Sequence, residues 1–216
     1  MAFPSRNEKA DVPELKLPAW RANLWFMVLW LIMVIDAMDR QCVTVIFPAL
    51  KEEFHLTDAQ LGLVGSITGL TISILVFPVA IIVDKWSRRK MISIMAVFWS
   101  IATFATGLAK GFYTLLLARL SIGTGEAGYG AAAFSLISAY YPQKRRGMMI
   151  GLFQAAAILG VAGGVGLGGF LAFKYGWRSV FGILAVPGLI LAAFAWFLPD
   201  FKTKRVEKDQ EKEVKS

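Results

Sequence analysis

Five charged residues stand inside runs of apolar residues: Asp36, Asp39 and Arg40 in the first run, and Arg119 and Glu126 in a later one. A charge held within a bilayer costs at least about 2.5 kcal/mol, so such groups face a wet cavity or one another. Buried acids that keep access to water can take up and release protons, and a guanidinium group can attract an anion. Asp36 and Arg40 are four residues apart, the spacing of a local pair on one helix face. At about 1.5 Å per residue, Asp39 lies roughly 22 Å from the inner end of its run, which leaves about 8 Å to the far edge of a core about 30 Å thick. Arg119 enters from the opposite side and reaches about 10 Å by the same arithmetic. The depths agree, so a pair between Asp39 and Arg119 is feasible. Glu126 follows Arg119 by seven residues, about two turns along the same face. With no permanent cation assigned to it, Glu126 is the candidate for proton exchange. A static ion pair that only fixes helix packing explains the same residues, and both readings stay open at this point.

The elements that position these groups are membrane helices. Hydrophobic residues make up 56% of the chain, charged residues 18%, and the mean hydropathy is +0.58, too little polar surface to cover a water-soluble globule of 216 residues. Six runs are long enough to cross a bilayer: Leu24 to Pro48, Leu61 to Val83, Met91 to Leu108, Phe112 to Tyr140, Met148 to Phe173 and Val180 to Leu198. The fold class expected is an all-α six-helix transmembrane bundle. Residues 1–23 and 201–216 read as polar tails, of which 1–20 and 202–216 are expected to be disordered or loosely helical. The net charge of +8 does not point to nucleic acid, because its distribution follows the membrane. Seventeen Lys and Arg residues fall on the side of the two tails and the second and fourth loops, and four on the other. Both termini are therefore expected in the cytoplasm, in a multi-pass protein of the inner (cytoplasmic) membrane.

Residues 80 to 89, Ala-Ile-Ile-Val-Asp-Lys-Trp-Ser-Arg-Arg, are echoed 89 positions later by residues 169 to 178, Gly-Phe-Leu-Ala-Phe-Lys-Tyr-Gly-Trp-Arg. The echo divides the chain into three-helix repeats, 24–110 and 111–200. An odd number of crossings inverts the second copy, an arrangement typical of secondary transporters. Trp25, Tyr140, Tyr141, Trp177 and Trp196 fall near span ends, where interfacial anchors are expected. Cys42 is alone, His55 has no second metal ligand nearby, and no nucleotide-binding loop, zinc-protease pattern or nucleophile elbow occurs. Neither cofactor nor metal is expected, and no enzymatic reaction.

Three segments carry a family resemblance. Ala80-x-x-x-Asp84-Lys85-x-Ser87-Arg88-Arg89 resembles the loop signature of the major facilitator superfamily, with small residues at both of its glycine positions. Gly151, Gly160, Gly164, Gly168 and Gly169 resemble that superfamily's fifth-helix glycine pattern, with Val165 where a proline is usual. Arg119-x-x-x-Gly123-x-Gly125 resembles a third signature. Met38-Asp39-Arg40 and Gly123 to Tyr129 look most like the spinster-like transporters, with the anion:cation symporters as neighbours.

The resemblance implies half of a twelve-helix secondary transporter that moves an amphiphilic or anionic organic solute, coupled to protons, by alternating access. It further implies coupling roles for Asp39, Arg40, Arg119 and Glu126, with Arg119 drawing in the anionic group. Asp84, Arg88 and Arg89 would gate the cytoplasmic side, Asp84 against a helix of a second six-helix bundle supplied by another chain or a C-terminal half. The five glycines would serve helix packing or act as a hinge. A non-transporting membrane scaffold and a truncated gene product are the competing readings.

Overall fold

The computed structural model describes residues 14–201, apart from the side chain of Asp84. The tail residues 1–13 and 202–216 lie outside the described residues. Within them run eight helices: α1 (Ala19–Val45), α2 (Phe47–Phe54), α3 (Asp58–Lys85), α4 (Arg88–Gly107), α5 (Phe112–Glu126), α6 (Tyr129–Tyr140), α7 (Gln143–Tyr175) and α8 (Trp177–Ala195). No strand occurs among the described residues. Five helices, α1, α3, α4, α7 and α8, are each long and apolar enough to cross a membrane. The sixth expected span is not one helix: α5 and α6 divide it at Ala127 and Gly128 and run beside α4 in succession. The division falls in the glycine-rich stretch from Gly123 to Gly130, where helix propensity is low. It also brings backbone close to α3 and α4, since a Cβ at Gly128 would lie 2.5 Å from Val79 and 2.7 Å from Met95.

Local chemistry sets the ends of the helices. Thr57 caps α3 in a reciprocal box with Gln60, and Ser87 caps α4 by accepting from the Lys90 N–H. His55, in the left-handed region at φ 51°, ends α2, and Gly176, at φ 81°, separates α7 from α8. Residues 14–18 are more ordered than the polar composition around them suggests. Leu15 donates its N–H to the Ala139 carbonyl, and Leu15 and Leu17 pack on the core.

Packing pairs α1 with α7, α4 with α8, α4 with α5, α3 with α5 and, less extensively, α1 with α8. Exchanging α1, α3 and α4 for α5, α7 and α8 carries this set of pairs onto itself. The core forms two apolar clusters. One holds Leu29, Ile92, Ile122, Leu136 and Phe153 at the end near the chain termini, and the other holds Val43, Leu50, Leu115, Val180 and Phe181 at the α2 end. Along α1 and α5, residues 36–40 and Arg119 fall between the two, so the ionic groups form a layer with oil above and below. Helices α3 and α7 are the least buried of the five, and Phe77 and Phe173 point away from the bundle. Of the expected interfacial anchors, Tyr140, Tyr141 and Trp177 are instead buried, their polar atoms bonded to the Pro199 carbonyl, Asn23 and Glu53.

Candidate functional site

Asp36, Asp39 and Arg40 occupy positions i, i+3 and i+4 of α1 and so share one face. What aims that face is the helix behind it. Three glycines of α7, each four residues from the next, lie against α1: Gly160 faces Val34 and Ala37, Gly164 faces Met38 and Gln41, and Gly168 faces Cys42. A Cβ at Gly164 would sit 2.7 Å from that of Gln41, so only glycine permits this approach. Cys42 completes the contact with a long hydrogen bond to the Gly164 carbonyl, 3.6 Å. Gly169 meets only Val45, and Gly151 meets nothing within 4 Å, so packing does not account for Gly151. On the other side of the bundle, Gly123 brings α5 onto α3, and Thr68 of α3 donates to the Arg119 carbonyl at 3.0 Å.

Two ionic units result. Arg119 Nη1 lies 2.9 Å from Asp39 Oδ2, and both side chains are almost fully enclosed, at 1% and 0% exposure. Arg40 forms the second unit: Nη2 contacts Asp36 Oδ2 at 2.6 Å and Nη1 contacts Glu126 Oε2 at 3.2 Å. Here the guanidinium is 36% exposed while both acids are 6% exposed. The pair between Asp39 and Arg119 has the partners that the depth arithmetic made feasible. Two expectations change. Glu126 does have a cation, Arg40, because the last residue of α5 reaches across to α1. Arg119 is sealed and cannot meet an incoming anion in this conformation, so the accessible cation of the site is Arg40.

The five groups comprise three carboxylates and two guanidiniums, so the fully ionised layer carries one net negative charge. Asp36 Oδ1, Asp39 Oδ1 and Glu126 Oε1 are buried without a hydrogen-bond partner. Asp36 and Glu126 also border a small pocket with Trp99 and Tyr129, with room for about one water molecule. Tyr129 donates to the Leu29 carbonyl and anchors the start of α6 beside it. Asp36, recognised from the sequence only as a local partner of Arg40, is thus a full member of the site. Tyr129 and Trp99 carried no separable signal, being aromatic residues in apolar runs.

The other expected group lies at the far end of the bundle, near the chain termini. Asp84 is in the last turn of α3, and its side chain is outside the described residues. Arg88 is 3% exposed and donates to the Phe201 carbonyl at 3.3 Å, lying 4.3 Å over that ring. The Arg89 N–H, at 3.3 Å, and the Ser87 hydroxyl, at 2.7 Å, both donate to Asp200 Oδ2. Asp200 and Phe201 had no sequence signal, since their partners are more than a hundred residues away. Among the described residues no cluster of His, Cys, Asp and Glu suited to a metal ion occurs.

A bundle of apolar helices that encloses a polar layer reached by one half-exposed arginine is the architecture of a polytopic membrane protein with an internal polar path. The chain belongs to the Major Facilitator Superfamily, whose sequence profile matches residues 29–216. It is 28% identical to the probable L-galactonate transporter of Escherichia coli (strain K12) over 172 residues, 80% of this chain and 38% of that protein. It is 28% identical to the hexuronate transporter of Bacillus subtilis (strain 168) over 171 residues, 79% of this chain and 40% of that one. A crystal structure of a bacterial homolog of the human lysosomal transporter Spinster, inward-facing and unoccupied, matches with a TM-score of 0.78 at 30% identity, covering 85% of this chain and 44% of that chain. The chain spans about two fifths of the length of the curated relatives it matches and corresponds to the N-terminal half of such proteins.

Proposed function

We propose that this chain is the first bundle of a secondary transporter that moves an organic anion by alternating access, coupled to protons. The observation that carries this reading is Arg40, whose side chain is 36% exposed and bonded at once to two enclosed carboxylates. An anionic group arriving from the cavity competes with Glu126 and Asp36 for that guanidinium. Each carboxylate so released is a buried charge without a counterion, and taking up a proton removes its cost. Solute and proton then occupy the site together, and departure of one favours departure of the other. The pair of Asp39 and Arg119, already neutral as a unit, holds α1 and α5 together through the cycle.

The names of the relatives support a carboxylate solute of the sugar-acid class, since hexuronate and L-galactonate are organic anions. The match to the Spinster homolog keeps an amphiphilic anion as the second candidate. A second six-helix bundle is the partner this reading requires, packed on the exposed faces of α3 and α7. Asp84 would latch a helix of that partner, with Arg88 and Arg89 positioning its loop. The excess of basic residues at the end carrying both termini supports a cytoplasmic location for that end, in the inner membrane. The exchange symmetry of the helix pairs supports inverted repeats over 24–110 and 111–200.

The test is uptake of labelled glucuronate, and of a labelled lysolipid in parallel, into proteoliposomes holding this bundle with its second half. An inward proton gradient is expected to drive uptake of one of them, and Glu126→Gln to abolish the dependence on the gradient while exchange of solute continues. Gradient-driven uptake by Glu126→Gln at the unaltered rate would remove the coupling assignment.

A further inference from the structure

The segments that echo each other in sequence, 80–89 and 169–178, also do related work at opposite ends of the bundle. Arg88, in the first turn of α4, donates to the Phe201 carbonyl just beyond α8. Arg178, in the first turn of α8, donates from Nη2 to the Ala109 carbonyl, 3.1 Å away and just beyond α4. The arginine that starts each helix therefore fastens the chain leaving the other. Gly107 makes the second contact feasible, because a Cβ there would lie 2.7 Å from the Arg178 carbonyl oxygen. A carboxylate completes each clasp: Asp200 on Ser87 and Arg89 at one end, Glu53 at the other.

The clasp at the α2 end gathers more partners. Arg178 meets Glu53 through both nitrogens, Nη1 to Oε2 at 2.8 Å and Nη2 to Oε1 at 2.6 Å, the forked geometry that suits a guanidinium and a carboxylate. Trp177 Nε1 donates to the same carboxylate at 2.7 Å. The guanidinium lies 4.3 Å over the Trp177 ring and 5.8 Å from that of Phe54, and the two rings meet edge to face. The hydrogen bond from Arg178, followed by that from Trp177, holds the Glu53 carboxyl below the usual glutamate range. Glu53 and Phe54 belong to α2, a helix of 8 residues that leaves α1 through Ile46, at φ −92° and ψ 3°, and ends at the left-handed His55. A helix this short has no stability of its own, so what it touches decides where it sits.

We propose that Glu53, Trp177 and Arg178 form a clasp that, together with the packing of α2 on α1 and α3, ties α2 to the start of α8 and through Arg178 to the chain leaving α4, making it a fixed cap on the bundle instead of a hinged lid. The bend at Ile46 then stays closed. This does not rest on the solute or on proton coupling.

A nitroxide at Glu52→Cys, an exposed position on α2, reports the motion of that helix in the full chain in detergent; Cys42 is buried and stays unlabelled. The clasp predicts an immobilised spectrum that shifts to a mobile one in Arg178→Ala and in Glu53→Gln. Arg178→Lys, which can pair with Glu53 but cannot also reach Ala109, should fall between. Arg88→Ala, at the opposite end, should leave the label immobile. Should Arg178→Ala fail to fold, Glu53→Gln, the same shape at a partly exposed position, decides alone. An unchanged spectrum in Glu53→Gln, or a label already mobile in the parent chain, overturns the proposal.

Discussion

Two arginines that pair with acids on the same stretch of α1 have opposite surroundings. Arg119 is enclosed, has one carboxylate partner, and joins two helices in a neutral unit. Arg40 is open on one side and shared between two acids on different helices. The difference follows from position along one turn: Asp39 points into the bundle towards α5, while Arg40, the next residue, is rotated by about 100° to a more exposed side of α1. A sealed pair can only be broken at the expense of a buried charge, so it serves as a fastener. A shared, half-wet guanidinium has alternatives of similar energy, which is what an exchanging site requires.

Removing one side of the sealed pair should produce the largest effect. Arg119→Ala strands Asp39 and is expected to destabilise the bundle by about 3–5 kcal/mol, read as a fall in the unfolding midpoint in detergent. Replacing both partners, as Asp39→Leu with Arg119→Met, should recover most of that loss. A single-variant cost comparable with that of an exposed pair would break the contrast drawn here. Arg40→Ala leaves Asp36 and Glu126, both enclosed, without their cation, so it should also destabilise the bundle, by less than Arg119→Ala and by an amount that shrinks as the pH falls and the stranded acids take up protons, and it should abolish binding of the anion measured by equilibrium uptake.

The glycines sharpen the comparison from behind. Gly164→Ala places a methyl group against Gln41 and the Met38 carbonyl and should cost about 1–3 kcal/mol, loosening the helix that aims Asp36, Asp39 and Arg40. Gly151→Ala meets open space and should be neutral, or stabilising by up to about 1 kcal/mol from helix propensity. Equal unfolding midpoints for the two variants would show that the stripe does not set the α1–α7 distance. A small effect that depends on pH belongs to Glu53. Because its carboxyl is held below the ordinary value, its stabilisation is full above about pH 4.3 and is lost as the pH falls through the depressed value. Acid titration of the parent chain against Glu53→Gln should show that loss only in the parent.

Much of this was legible because a bilayer leaves few choices. Runs such as Leu61 to Val83 can only be spans, and charges within runs must find partners at matching depth, which is how Asp39 and Arg119 could be matched across 80 residues. The spacing of Gly160, Gly164 and Gly168 announced a close helix contact without saying with which helix. The reading of Phe112 to Tyr140 as one span did not show that two successive helices, α5 and α6, make it up, because hydropathy is insensitive to a two-residue break. The partner of Glu126 was missed for a related reason: Arg40 had a satisfactory neighbour four residues away, and nothing local shows that a second acid shares it.

The amino-acid sequence by itself determined the runs long enough to cross a membrane, the place of each charge along them and the family, because these follow from composition along a line measured against a fixed thickness. Rotation about each helix axis and the choice of neighbours were decided only by the tertiary structure. Those depend on which small residues let two backbones approach, and that is a property of surfaces in contact that no single helix carries. Hence Asp39 was recognisable as a partner for Arg119, whereas the sharing of Arg40 by Asp36 and Glu126, and the fastening of α2 by Arg178, exist only once α1, α5 and α8 have packed.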